Sequence, residues 1–428
     1  MTYKSLHTPD GTTPGETFFS MLAPLLAAFT SFVLSPLAKK YISSSNLLQF
    51  ALTFVMVVFL GILTYTLLTD YLYKISTTFI IILASYALFG NRDFNKISPT
   101  NKTDYITNHR SLMFLLTMII ILAVDFKIFP RRYAKTGCFG YSLMDAGVGL
   151  FIFSNGIVSP EARRKKETIK KSIRESLCLI FLGFIRLVST VYTSYTVPVS
   201  EYGVHWNFFI TLAMLKVFSS FILTIFSIDY VYLNATLLII AQEVLLESGL
   251  AMFVLENTER TNLIKANKEG LVSMVGYLAL YLYSVYFGYI INKHEKISQK
   301  VLRCIKYAIL SLVLHAIFTH YFGTSRRLAN AGYCFWVLFL GIYSTVSHFL
   351  VQEYLLDRSM LSSFLFYAIN YNGLVFFLLA NVLTGLVNLS IDTNSVGSIP
   401  TLVILTIYSL ICCGVVSMLY NKKIKVKI

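Results

Sequence analysis

Apolar residues run through this chain in blocks of roughly twenty, separated by short polar stretches. Blocks of that length are long enough to cross a hydrocarbon layer of roughly 30 Å. Their approximate cores are 17–37, 47–69, 75–91, 111–129, 141–159, 176–195, 205–226, 230–253, 271–291, 304–322, 331–351, 371–390 and 399–420. Strand-length alternation is missing throughout. Backbone amides in hydrocarbon must be paired within their own segment, so the blocks are expected to be helices. The fold class expected is all-α, a polytopic membrane bundle of about thirteen transmembrane helices. A polar segment, 1–16, precedes a single multi-helix domain, 17–420, and a basic tail, 421–428, follows it. The first block has no small-residue cleavage site and reads as a retained span.

Composition agrees with that pattern. Hydrophobic residues make up 56% of the 428 and charged residues only 13%, about half the share usual in soluble domains. The formal net charge of +15 invites a nucleic-acid partner, but the basic residues sit in loops between blocks. Arg163-Arg164-Lys165-Lys166, Lys170-Lys171 and Lys422-Lys423 are the main clusters. Such clusters mark the cytosolic side. A lumenal N-terminus and a cytosolic C-terminus place about twice as many Lys and Arg in cytosolic loops as in the opposite ones. Segment 161–175 is expected to be a charged helix on anionic headgroups. The six cysteines match neither a zinc site nor a disulfide framework. Two sequons occur. Asn101-Lys102-Thr103 is expected in the cytosol, and Asn388-Leu389-Ser390 hugs the lumenal membrane face.

The side expected to be quiet holds the unusual residues. Asp125 ends one span, and Pro130, Arg131, Arg132 and Lys135 follow it. A rim carboxylate is raised by desolvation and lowered by a nearby cation, which can leave it fit to take a proton from a hydroxyl. Lys135 would then hold a developing oxyanion or a phosphate. An ion pair that merely closes the loop is the ordinary alternative. Arg131 and Arg132, like Arg326 and Arg327, suit phosphate or lipid headgroups equally. Asp145 either orients Lys135 or the arginines, or caps a helix, and Gly147 and Gly149 after it allow close approach of a helix or an acyl chain. His205 is a candidate base or an interfacial anchor beside Trp206 and Asn207. Arg186, Lys216, Glu243 and Glu247 lie inside spans and are expected to pair with one another. Asn372 punctuates the same span as Asn381, Thr384 and Asn388, which form a polar stripe that either glues helices or lines a headgroup pocket. No motif points to a metal or redox cofactor.

Several long, irregular strings resemble one family. They are Ala123 to Lys135, Ser142 to Gly149 with Phe153-Ser154-Asn155-Gly156, Glu201 to Phe209, Glu269-Gly270, Ser325 to Asn330, and Asn372 to Asn388. In that order they resemble the GPI-anchor inositol acyltransferase family (the Gwt/PIG-W family). Lys268 stands where an arginine is expected. The resemblance implies a multi-pass enzyme of the endoplasmic reticulum membrane. Its co-substrate would be a fatty acyl-CoA, chiefly palmitoyl-CoA, and its acceptor the inositol 2-hydroxyl of glucosaminyl-phosphatidylinositol. It also implies a site for antifungal-type inhibitors, and Asp125 and Lys135 as the catalytic pair. On this reading Arg131, Arg132, Arg326 and Arg327 receive phosphates and His205 is a reserve base. A lipid flippase or multispan transporter is the rival, since intramembrane charges and glycine-rich helices suit one. The chain lacks the internal repeats usual there.

Overall fold

Helices account for most of the computed structural model, which describes every residue except 1–2, 4–8, 42–45, 90–103, 193–197, 257–258, 294, 356–362 and 427–428. The Asn101 sequon lies outside the described residues. Among those described, 11 helices are long and apolar enough to cross a membrane. The other two expected spans differ. The helix Leu143–Gly156 has 14 residues, about 21 Å at 1.5 Å per residue. The helix Ile169–Tyr192 is long enough but carries Lys170, Lys171, Arg174, Glu175 and Arg186.

The charged helix expected over 161–175 is interrupted. A single 3-10 turn, Glu161–Arg163, packs against the helix Lys268–Asn292. Arg164 then takes a left-handed conformation at φ 56°, bonded to Asp229 at 2.8 Å and to the Tyr289 hydroxyl at 2.9 Å. Regular helix resumes at Ile169. Burial of Glu161 in that turn overrides the local helical pattern.

The chain divides into two compact units. Residues 1–12 and 135–343 form one, residues 13–134 and 344–428 the other. In the first, the helix Lys268–Asn292 is central. It packs against Leu143–Gly156, Phe208–Ile225 and Val231–Leu245. Glycine permits the closest approach: a Cβ on Gly276 would fall 1.9 Å from the Ala329 carbonyl oxygen. Two short strands, Asp10–Gly11 and Gly140–Tyr141, pair in parallel. Upstream of them Tyr3 is buried, stacked on Phe139 and Phe322. Its hydroxyl donates to Glu243 at 2.8 Å.

That contact corrects the expected mutual pairing of intramembrane charges. Glu243 accepts from Tyr3 and from the Ala331 amide. Lys216 pairs with Glu175, and Glu247 is exposed on the π-turn Leu246–Leu250. The N-terminal segment supplies a donor that span periodicity does not reveal.

In the second unit, the spans Pro14–Ser35 and Asp104–Ala123 are the most buried; the first belongs to the helix Pro14–Tyr41. Around them lie Asn46–Thr64, Thr69–Phe89, the end of Ala331–Tyr354, Phe364–Tyr371, Gly373–Ser390 and Ser398–Asn421. The span expected over 371–390 is the helix Gly373–Ser390, which a break at Asn372 separates from the preceding short helix Phe364–Tyr371.

Candidate functional site

In the second unit the helix Asp104–Ala123 runs into a turn that places Asp125 just beyond its last residue, with the Asp125 amide bonded to the Leu122 carbonyl. Asn388, at the end of Gly373–Ser390, donates its amide to Asp125 Oδ2 at 2.8 Å. The stripe partner Thr384 donates to the Tyr408 hydroxyl, while Asn381 bonds back to its own helix at the Phe377 carbonyl. Asn381 is therefore held by backbone. Asn372 is likewise committed: it donates to the Ile424 carbonyl and accepts from the Val426 amide, both at 3.0 Å. Its function here is to clasp the C-terminal tail, because a helix break leaves the amide free to reach sideways.

Pro130 starts the 3-10 turn Arg131–Tyr133. Exposed Arg131 folds back onto the Val124 carbonyl. Arg132 pairs with Glu16 at 2.7 Å and Asp70 at 2.9 Å, and the Tyr133 hydroxyl donates to the same Glu16 carboxylate. Two carboxylates from distant helices thus occupy the Arg132 fork expected to hold phosphate.

In the first unit Lys135 lies 2.6 Å from Glu201. Thr136 follows, donating its amide (3.0 Å) and hydroxyl (2.7 Å) to Asp145 Oδ2. Arg326 Nε binds the other Asp145 oxygen. Both partners are nearly inaccessible, at 3% exposure each. Ser142 caps the helix Leu143–Gly156 by accepting from the Asp145 amide. Asp145 therefore has protein partners on both oxygens and fastens Arg326 to the Thr136 turn, the arginine-orienting role that the sequence held open beside helix capping. Arg326 Nη1 is buried and has no hydrogen-bond partner.

The electrostatics follow from that crowding. Burial lowers the Lys135 pKa below the usual lysine value; Glu201 opposes this, and the nearby Arg326 and Arg186 charges reinforce it. Glu201 shows the converse balance. Burial pushes it up, but Lys135, Arg326 and Arg186 together hold it below the ordinary carboxylate range.

The other candidates already have partners within the protein. Asn207 accepts from the amides of Phe209 and Ile210 as helix cap and donates to the Gly183 carbonyl, which uses both ends of its amide. The Trp206 indole donates to Thr211, and a Cβ on Gly270 would strike its ring. His205 is exposed and bonded to Asn267 through its own amide. Arg327 binds Glu269 at 3.1 Å and the Val254 carbonyl, in a network with Arg260. Gly149 is filled by Val337 and Tyr333, whereas Gly147 faces open space. Sequence reading assigned no role at the site to Glu201 or Arg186, and held Asn388 open as helix glue or pocket lining. Glu201 opens a quoted string, and Asn388 falls on the stripe of Asn381 and Thr384, so both carried a signal. Arg186 carried none beyond its depth.

A many-spanned helical membrane protein with a lysine–carboxylate pair and a buried, partly unbonded guanidinium is thus the class that the fold and site define. The GWT1 family model matches residues 4–419. A GPI-anchored wall transfer protein 1 of Yarrowia lipolytica is 37% identical, over 76% of this chain and 74% of its own length. The mouse glucosaminyl-phosphatidylinositol-acyltransferase PIGW is 32% identical, over 78% and 76%. An uncharacterized protein of Arabidopsis thaliana is 34% identical, over 88% of each chain. The chain belongs to the GWT1 family and is an acyltransferase, which sets aside the transporter reading.

Proposed function

We propose that this protein transfers a fatty acyl group from acyl-CoA to the inositol 2-hydroxyl of glucosaminyl-phosphatidylinositol in GPI-anchor assembly. The family membership and the name of the mouse relative support the acceptor. The proposed setting is the endoplasmic reticulum membrane. The proposed topology has thirteen spans, an N-terminus in the lumen and a C-terminus in the cytosol, supported by loop charge.

In this proposal Asp125 takes the proton as the inositol oxygen attacks the thioester carbonyl. The tetrahedral oxyanion collapses, the C–S bond breaks, and the thiolate leaves with the proton that Asp125 releases. Lys135, paired with Glu201, stabilises the oxyanion or the departing thiolate. Arg326 Nη1 is the donor best suited to a phosphate oxygen, with Arg186 adding charge beside it. Arg131 and Arg132 serve phosphate less well, since Arg132 is already paired. His205 is left as a reserve base. The observation that carries the proposal is that each of the two reactive groups has its own dedicated partner, Asn388 for Asp125 and Glu201 for Lys135.

The test is acyl transfer from palmitoyl-CoA to glucosaminyl-phosphatidylinositol by purified wild type, Asp125→Asn and Lys135→Ala. Loss of turnover in both, with unchanged thermal stability, is expected. Wild-type turnover in Lys135→Ala overturns the assignment of Lys135, and transfer that survives both changes overturns the pair.

A further inference from the structure

The turn that carries Arg326 does not hold its shape unaided. It links the helices Ile297–Phe322 and Ala331–Tyr354. Ala329 within it takes a left-handed conformation at φ 46°, which an L side chain resists. Arg326 Nη1 is buried without a hydrogen-bond partner, so its aim is set by the Nε bond to Asp145 and by the backbone of the turn. Three bonds restrain that backbone from outside. The Ser325 hydroxyl donates to the Cys138 carbonyl at 2.6 Å and the Gly140 amide to the Thr324 carbonyl at 2.9 Å. The Tyr277 hydroxyl donates to the Arg326 carbonyl at 3.2 Å.

From inside, Asn330 ties the turn together. Its Oδ1 accepts from the Ser325 and Tyr333 amides at 3.0 and 3.2 Å, and its Nδ2 donates to the Gly323 carbonyl at 3.0 Å. One N–H is left on Nδ2, and it donates to the Tyr3 hydroxyl at 3.1 Å. That hydroxyl passes its own proton to Glu243, which also accepts from the Ala331 amide just past the turn. The Tyr3 ring is stacked on Phe139 and Phe322, with centroids at 6.2 and 5.8 Å, within the range of favourable aromatic pairs. Phe322 leads into the turn, and Phe139 belongs to the stretch that Lys135 opens. Asp10 grips the same stretch. Its carboxylate accepts from the Gly137 amide at 3.0 Å, and its amide donates to the Phe139 carbonyl at 2.9 Å. The N-terminal residues therefore bind both pieces of chain that bring Lys135 and Arg326 together.

We infer that Tyr3 is a positioning residue for the acceptor: through Asn330 and Ser325 it fixes the turn that aims Arg326 Nη1 at the acceptor phosphate. A ring that only filled space would need no hydroxyl, and Phe would serve. The hydroxyl instead completes the asparagine that sets the residue before Arg326. The inference rests on the reading of Arg326 as the phosphate donor given above.

The test uses the full-length protein in lipid nanodiscs, with palmitoyl-CoA and two acceptors. One is glucosaminyl-phosphatidylinositol, the other its analogue with an uncharged methylphosphonate in place of the phosphodiester. Wild type should show the higher KM for the uncharged acceptor. Tyr3→Phe keeps the stacked ring and loses both hydrogen bonds. Its KM for the natural acceptor should rise by up to about tenfold, the scale of one hydrogen bond to a charged group. Its kcat and its KM for palmitoyl-CoA and for the uncharged acceptor should hold. Phe139→Leu keeps the hydroxyl bonds and thins the seat of the ring. It should show the same pattern more weakly, and it carries the test if Tyr3→Phe does not accumulate. A lower melting temperature with acceptor KM unchanged overturns the inference, since such a tyrosine only packs. An equal rise for both acceptors also overturns it, because the effect then bypasses the phosphate. A wild type that treats the two acceptors alike overturns the phosphate role of Arg326 itself, a result distinct from the others.

Discussion

Asn388 donates to the Asp125 carboxylate at 2.8 Å, joining the end of one helix to the turn after another. That bond holds Oδ2 of the carboxylate in place. It also turns the asparagine of the Asn388-Leu389-Ser390 sequon toward protein. Asn388→Ala should lower kcat by about tenfold, the scale of one hydrogen bond to a charged group, with less effect on either KM. Steady-state kinetics check this. Endoglycosidase treatment of protein from a eukaryotic host should leave its mobility unchanged.

Glu201 opposes the lowering that burial imposes on the Lys135 pKa. Glu201→Gln removes the group that opposes burial, so the lysine pKa drops further. The alkaline limb of the kcat profile should then move to lower pH, while Lys135→Arg should abolish that limb. An unmoved limb in Glu201→Gln would separate the pair from catalysis.

The same two groups act oppositely on stability. The Glu201 pKa is held below its unfolded value near 4.5. Its contribution is full above that value and is lost as pH falls through the lower, folded one. The folded Lys135 pKa lies below 10.5, so its burial costs stability while it is charged. That cost fades as pH rises from the folded value toward 10.5. Melting of wild type and Glu201→Gln should converge as the solution is acidified below pH 4.5.

Asp145→Asn should be a folding defect first. It leaves the Arg326 guanidinium buried without its counter-charge, a change worth about 3–5 kcal/mol. A fall in melting temperature of the purified protein is the expected pattern. Undiminished stability would show that Asp145 is not the fastener described.

Asn372→Ala should leave acyl transfer close to wild type. Its partners are Ile424 and Val426 of the tail, so faster proteolytic trimming of the last residues is the expected effect.

Spans were legible because apolar length alone specifies a membrane helix. Eleven of them rest on that signal. Leu143–Gly156 and Ile169–Tyr192 show its limits, since apolar character measures neither helix length nor how charges on one face are held. The strings around Asp125, Lys135 and Arg326 were legible as unusual residues, but their partners were not. Glu201 is 66 residues from Lys135 and Asn388 is 263 from Asp125, and no local periodicity encodes such pairings. Arg132 and Asn207 show a related limit: a guanidinium or an amide written in a loop does not say how far protein already fills its bonding capacity.

Tyr3 meets Asn330 across 327 residues, and each compact unit is assembled from two separated stretches of chain. Synthesis therefore finishes neither unit early. The N-terminal residues leave the ribosome long before Glu243 and Asn330 exist to receive them, and the unit opened by Pro14–Tyr41 is completed only by the last helix, Ser398–Asn421. Contacts of such separation are slow to form because the chain between them must be ordered first. The early helices must wait in the membrane with polar groups such as Asp125 still unpartnered, which makes the nascent protein, more than the finished one, the species most dependent on insertion machinery and chaperones.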